Sequence, residues 1–223
     1  MNRPTTIIWD WNGTLLDDTW LCFDIANAML LERGMKTLPD HNAYRDVFCF
    51  PIIDYYRRMG YVFDADAEPY EKLSEQYVSC YEQNVTRCAL REGMGEILKA
   101  LQADGRRQIL LSATGLYRLL PQVKHYGLEP YFEQVLGLTD DFAHGKAALA
   151  LDFFARTGLD PQDTIFIGDT HHDFDVAQAC GCRCALLTGG HQHRTALESC
   201  GVPVFDTFVE LGRYLGIALK KPA

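Results

Sequence analysis

Carboxylates at Asp10, Asp169 and Asp173, an ammonium at Lys146 and a hydroxyl at Ser112 are the side chains best suited to one common chemistry. Clustered carboxylates repel one another unless a cation lies between them, and hard oxygen ligands suit Mg²⁺. Asp169 and Asp173 are four residues apart at the start of a helical pattern, so they share a face. A lysine and a serine hydroxyl beside a metal can hold the remaining oxygens of a phosphate. An aspartate can attack phosphorus and form an aspartyl-phosphate. Gly13, in the run Asp10-Trp-Asn-Gly-Thr14, lets the backbone approach such a group closely. Brought together, these residues would perform phosphoryl chemistry at a divalent cation.

Strand ends must bring them together. Thr5–Trp11 is a short β-branched run closed by the turn signal Asn12-Gly13. From about Arg91 onward, apolar runs alternate with helical patterns. The expected strands are Gln108–Ala113, Gln134–Leu138, Thr164–Gly168, Arg183–Leu187 and Val202–Phe205. The expected helices are one over Met94–Leu101, one around Tyr117–Tyr126 interrupted by Pro121, Lys146–Arg156 and Phe174–Cys180. This alternation predicts an α/β fold, a Rossmann-like parallel sheet covered on both faces. Ligands then gather at the carboxyl ends of the strands, where Asp10, Ser112 and Asp169 fall. Between Asp17 and about Leu90 the pattern is helical. Leu21, Ile25 and Ala28 share one face before Gly34, Tyr44, Val47 and Phe48 another, Pro51 can open a helix, and Tyr70–Cys88 marks a long amphipathic one. The helical stretch is therefore an insertion after the first strand.

Composition bounds the partners. Twenty-one Lys+Arg against thirty Asp+Glu leave a net charge of −9 over 223 residues, with 48% apolar and 23% charged residues. These are values of a globular chain, long enough to bury about 70–75% of its unfolded surface. The acidic balance argues against nucleic-acid or anionic-membrane partners. The N-terminus lacks the apolar stretch of a signal peptide, and no run reaches the length of a membrane span. A cytoplasmic location with eight reduced cysteines is expected. Cys180, Cys182 and Cys184 alternate around an apolar strand and are read as core rather than as metal ligands. No feature of the sequence specifies an oligomeric state.

Four motifs in order carry a family resemblance. Asp10-Trp-Asn-Gly-Thr14, Ile109-Leu-Leu-Ser112, Lys146, and Phe166-Ile-Gly-Asp169-Thr-His-His-Asp173 resemble the successive motifs of the haloacid dehalogenase-like superfamily. The resemblance implies a core of residues 1–16 and 91–223 and an inserted helical cap of residues 17–90, placed as in phosphoglycolate-phosphatase-like members. It implies Asp10 as nucleophile and metal ligand, the backbone carbonyl of Asn12 and the carboxylate of Asp169 as further ligands of Mg²⁺, and Asp173 as support for the metal or Lys146. Ser112 and the Ala113 amide correspond to phosphate contacts, and Lys146 to the residue that holds nucleophile and phosphate together. The implied activity is Mg²⁺-dependent hydrolysis of a small phosphorylated metabolite.

One position departs from that pattern. The family's phosphatases usually carry an aspartate where this chain has Asn12, and that acid protonates the leaving alkoxide and activates water. An amide cannot supply a proton at neutral pH, and loss of a general acid typically costs about 10²–10⁴ in rate. Reduced activity, a substitute donor such as His171 or His172, or phosphate binding without turnover would follow; Asn12-Gly13 is also prone to deamidation. Dehalogenation is disfavoured by Asp169, and phosphonate cleavage by a cap whose lysines are Lys36 and Lys72 alone. His171 and His172 otherwise read as solvent-facing loop residues, and Gly189, Gly190, His191 and His193 as a plain loop. Arg45, Phe48, Phe50 and Arg57 could meet substrate from the cap, the aromatics reading more simply as cap core.

Overall fold

A computed structural model describes residues 3–64, 68–139 and 145–219. The chain enters with β1 (Thr6–Trp9), turns into the two-residue β2 (Leu16–Asp17), and continues through α1 (Thr19–Glu32), α2 (His41–Val47), α3 (Ile52–Arg58) and α4 (Tyr70–Asn84) before returning at β3 (Ala89–Leu90). Then follow α5 (Met94–Ala103), β4 (Arg107–Gly115), α6 (Leu116–His125), β5 (Gln134–Leu138), α7 (Lys146–Thr157), β6 (Thr164–Gly168), α8 (His171–Cys180), β7 (Arg183–Leu187), α9 (Arg194–Glu198), β8 (Val204–Phe205) and α10 (Phe208–Tyr214). Six strands form one parallel sheet in the order β5-β4-β1-β6-β7-β8. β1 lies in its middle, so its end is also the middle of the carboxyl rim.

The predicted α/β sheet is thus present, with helices on both faces. Ile8, Ile109, Leu111, Phe153 and Phe166 pack one face. The other face is continuous with the helical insertion, since Trp9, Trp11 and Leu110 share a cluster with Leu21, Tyr44 and Tyr55. Cys180 and Cys184 are buried in the first cluster with Cys182 partly buried beside them, as core packing predicted. No described helix is long and apolar enough to cross a membrane.

Several expected boundaries move for local reasons. The first strand ends at Trp9 because the Trp11 carbonyl accepts the amides of Thr14, Leu15 and Leu16, curling the chain out of the ladder. In α1 the inward face is Leu21, Cys22, Ile25, Ala26, Met29 and Leu30; Ala28 is exposed, contrary to expectation. Gly34 does stop this helix, with φ +64° and a Schellman pair in which Met35 N–H donates to Leu30 and Gly34 N–H to Leu31. α8 starts at His171 rather than Phe174, because Thr170 and Asp173 form a reciprocal capping box. The ribbon β2–β3 pairs antiparallel where the chain leaves and re-enters the sheet layer, a contact too short to register as alternation. The long helix closes at Asn84, so Cys88 lies beyond it, and the last strand shortens to Val204–Phe205.

Candidate active site

Asp10 follows β1, and its amide still donates to the Ile167 carbonyl at 2.9 Å, which carries the residue to the sheet rim beside the end of β6. Asp169 follows β6, and Asp173 lies in the first turn of α8. One oxygen from each of these three buried carboxylates lies within 4.8 Å of the others. Lys146, the first residue of α7, sends its ammonium between them, where it donates to Asp10 Oδ1 and Asp173 Oδ1. Lysine at a helix start opposes the macrodipole, and the two carboxylates are what hold it there.

Asp173 is fully committed. Its Oδ2 accepts the amides of Asp169 at 3.1 Å and Thr170 at 3.0 Å and the Thr170 hydroxyl at 2.7 Å. A Cβ at Gly168 would lie 2.2 Å from its Cγ, so only glycine admits it. Asp10 and Asp169 are less committed: Asp10 Oδ2 and Asp169 Oδ1 face one hydroxyl, Thr14 Oγ1, at 3.1 and 2.8 Å. That hydroxyl has one hydrogen to give, which leaves an acceptor for another positive group. Asp169 also accepts the His191 amide at 2.7 Å, and Cβ atoms at Gly13 and Gly190 would come within 2.4 and 2.1 Å of its Oδ2. Gly13 has φ +69° as well, so its identity is fixed twice.

The electrostatics follow from burial. Burial pushes the Asp10 carboxyl up; Lys146 pulls it down, and the charges of Asp173 and Asp169 add to the rise. Burial likewise raises Asp169, against the pull of His191. For Asp173 burial is outweighed by Lys146 and the Thr170 bonds, so its carboxyl is held low. Burial works against the Lys146 charge too, but Asp10 and Asp173 hold the ammonium well above its ordinary range. Three buried carboxyl groups crowd one ammonium, and burial and their mutual repulsion are what raise Asp10 and Asp169. A crowded all-oxygen donor set of this kind fits a hard divalent cation, whose charge would favour the ionised carboxylates.

The remaining predicted residues sit on the same rim. Ser112, buried near the end of β4, accepts the Thr114 amide at 3.0 Å and donates to Asn12 Oδ1 at 3.4 Å. Ala113 is exposed, in the stretch where the β4–β5 register shifts. Asn12 is a junction: its amide nitrogen donates to Asp18 Oδ2 at 2.8 Å and to the Tyr81 hydroxyl at 2.7 Å, while Oδ1 accepts Thr114 Oγ1 at 2.9 Å. Both amide hydrogens are therefore spent on groups outside the carboxylate trio.

The segment after β7 is not the plain loop expected. His191 is buried, with Nδ1 2.8 Å from the Tyr44 hydroxyl and Nε2 3.4 Å from Asp18 Oδ1, and its ring stacks on Phe48 at 4.8 Å. Arg45 Nε donates to the Gly190 carbonyl at 2.9 Å, and Arg91 joins the carbonyls of Gly13 and Thr188. Burial lowers the His191 pKa, but Asp18 more than offsets it and the imidazole is pushed up to about 9. Asp18, buried, is held low because His191, Tyr81 and Asn12 outweigh desolvation. His171 and His172 open α8 and are half-buried, not solvent-facing; His172 stacks on Phe50 at 4.3 Å, and the His171 amide donates to Gln192. Of the insertion's candidates, Arg57 turns away and pairs with Asp54 at 2.8 Å. A cleft of about 390 Å³ opens beside this region, lined by Arg45, Phe48, Phe50, Arg58 and His172 among others. Asp18, Tyr81 and Arg91 carried no signal, since a helix-start acid, a core tyrosine and a strand-end arginine are common surface or core residues; His191 lay in a run noticed only as a rim loop.

Known proteins resemble this chain in sequence and fold. A phosphoglycolate phosphatase of Pseudomonas aeruginosa is 24% identical over 93% of this chain and 78% of its own length. An N-acetylmuramic acid 6-phosphate phosphatase of Pseudomonas putida is 26% identical over 86% of each. Tyrosine-protein kinase PtkA of Mycobacterium tuberculosis is 22% identical over 96% of this chain and 73% of its length. A haloacid dehalogenase-like hydrolase from Streptococcus pneumoniae superposes with a TM-score of 0.81 at 20% identity, over 96% of this chain and 99% of that one, which bears on the fold. The family model for haloacid dehalogenase-like hydrolases matches residues 7–187, the span that holds all four motifs, and the chain belongs to that family.

Proposed function

We propose that this protein is a Mg²⁺-dependent phosphatase of small phosphorylated metabolites, working through an aspartyl-phosphate on Asp10. The observation that carries the reading is the Lys146 ammonium lodged between Asp10 and Asp173 with Asp169 alongside, all at the strand ends. Asp10, Asp169 and the backbone carbonyl of Asn12 would hold the cation, which would supply charge neutralisation for the nucleophile and the phosphoryl oxygens. Asp10 attacks phosphorus while the ester oxygen leaves; water then displaces the carboxylate and frees phosphate. Lys146 keeps one oxygen of Asp10 oriented, and Asp173 keeps Lys146 in place. Ser112 and the Ala113 amide face the same rim and would take phosphoryl oxygens. Residues 17–90 serve as the cap over a core of residues 1–16 and 91–223, which excludes water and bulky esters and favours metabolites over phosphoproteins. The phosphatase relatives support the reaction class.

The test is hydrolysis of p-nitrophenyl phosphate with Mg²⁺ and with a chelator, using Asp10→Asn as the blank. Equal rates for wild type and Asp10→Asn would end the proposal. A second reading, phosphate binding with little turnover, has one observation behind it: both Asn12 amide hydrogens are taken by Asp18 and Tyr81, so residue 12 offers the leaving group nothing. A screen of phosphate esters that includes phosphoglycolate and sugar phosphates separates the two.

A further inference from the structure

Besides the carboxylate trio, the described residues hold one other group of side chains able to ligate a metal: Asp18, Cys22 and His191. Asp18 caps α1 and Cys22 lies one turn along it, so the two share a face. His191 reaches them from the segment after β7. All three are buried, at 0%, 5% and 4% exposure. A carboxylate, a thiol and an imidazole form the donor set that zinc takes and magnesium does not.

The spacing within the cluster is uneven. Asp18 accepts Tyr81, Gly13 and Asn12 at 2.6, 2.8 and 2.8 Å. Its approaches to His191 Nε2 and Cys22 Sγ are longer, at 3.4 and 3.9 Å. Metal–oxygen and metal–nitrogen bonds of about 2.0–2.1 Å and a metal–sulfur bond of about 2.3 Å, at tetrahedral angles, set ligand atoms roughly 3.3–3.6 Å apart. The His191 approach to Asp18 Oδ1 falls in that range, while the Cys22 thiol, at 3.9 Å from Oδ2, would have to move inward onto a bound cation. The far nitrogen of His191 is already oriented by the Tyr44 hydroxyl at 2.8 Å, the support that ligating imidazoles normally have.

We propose that Asp18, Cys22 and His191 form a binding site for one thiophilic divalent cation of the Zn²⁺ class, separate from the hard-cation site at Asp10 and Asp169. The site joins α1 to the segment that cradles Asp169. The experiment is titration of the metal-free, full-length protein with Co²⁺. One equivalent should produce a thiolate-to-cobalt charge-transfer band in the near ultraviolet, which Zn²⁺ removes and excess Mg²⁺ does not. Cobalt at the all-oxygen site gives no such band. Cys22→Ser should lose the band while keeping its Mg²⁺-dependent turnover of p-nitrophenyl phosphate. His191→Gln, which keeps the thiol, should bind Co²⁺ at least about tenfold more weakly. No band in the wild type, a band retained in Cys22→Ser, or unchanged affinity in His191→Gln would each overturn the site.

Discussion

The two buried polar clusters of this molecule, one around Lys146 and one around Asp18, use different atoms and hold charge differently. Around Lys146 the donors are oxygens, and carboxylates outnumber the ammonium three to one. Around Asp18 one carboxylate faces one imidazole within a ring of tyrosine hydroxyls, so charge is nearly balanced. The first cluster gathers its carboxylates at the strand ends, where ligands of a parallel sheet collect, and is the centre of the proposed reaction. The second joins the helical insertion to the sheet rim, and the proposed thiophilic cation would reinforce that junction.

The largest expected effect tests the first half of that contrast. Asp10→Asn should lower turnover by about 10⁴-fold or more while phosphate still binds, measured as steady-state kinetics beside phosphate affinity. Next comes Lys146→Met. It leaves two buried carboxylates without their ammonium and should cost about 3–5 kcal/mol of stability in urea denaturation, as well as activity. A loss under 1 kcal/mol, no more than an exposed pair is worth, would show that solvent reaches the cluster and that its charge is not in excess.

Asn12, bonded to Asp18 and two residues from Asp10 in the chain, sharpens the contrast. Asn12→Asp alone puts a second carboxylate where the amide now lies 2.8 Å from Asp18, so the two would share a proton and the rate should rise less than about tenfold. Paired with Asp18→Asn, the new acid is relieved of that neighbour, and a gain of about 10²-fold or more is expected. A large gain from the single substitution would mean that Asp18 does not govern residue 12.

The smallest effects test the second cluster as architecture. Tyr44→Phe should cost about 1 kcal/mol and leave the chemical step unchanged. The pH response has a definite sign. The His191 pKa is raised from its ordinary 6.5 to about 9, so its pairing stabilises the fold fully below about pH 6.5 and is lost as pH rises through 9. Asp18, held low, adds stability above its unfolded value near 3.8 and loses it as pH falls through its folded value. The stability gap between wild type and His191→Gln should therefore shrink between pH 6.5 and 9. A gap that stayed constant over that range in chemical denaturation would remove the ion pair from the picture.

Much of this was legible beforehand. Asp10, Ser112, Lys146, Asp169 and Asp173 sit in short contiguous motifs at strand ends, and parallel-sheet geometry sends strand ends to one rim whatever the loops do. Thr170-His-His-Asp173 even carried its own helix start, although the helix was placed three residues late. Asp18, Tyr81 and His191 are separated by 63 residues and more, on elements whose relative placement no local pattern encodes. An aromatic at Phe48 predicts packing in the helical insertion, and it does pack, yet one ring it stacks on is His191 from beyond the insertion.

The sequence by itself determined the alternation of strand and helix, the insertion after β1 and the residues of the oxygen cluster, because backbone periodicity and strand-end chemistry are local properties. Only the tertiary structure decided what Asn12 does, which loop closes over Asp169 and which imidazole meets Asp18. Those outcomes depend on how the helical insertion seats against the sheet, and that is fixed by burial of apolar faces contributed by both, not by any stretch of chain alone.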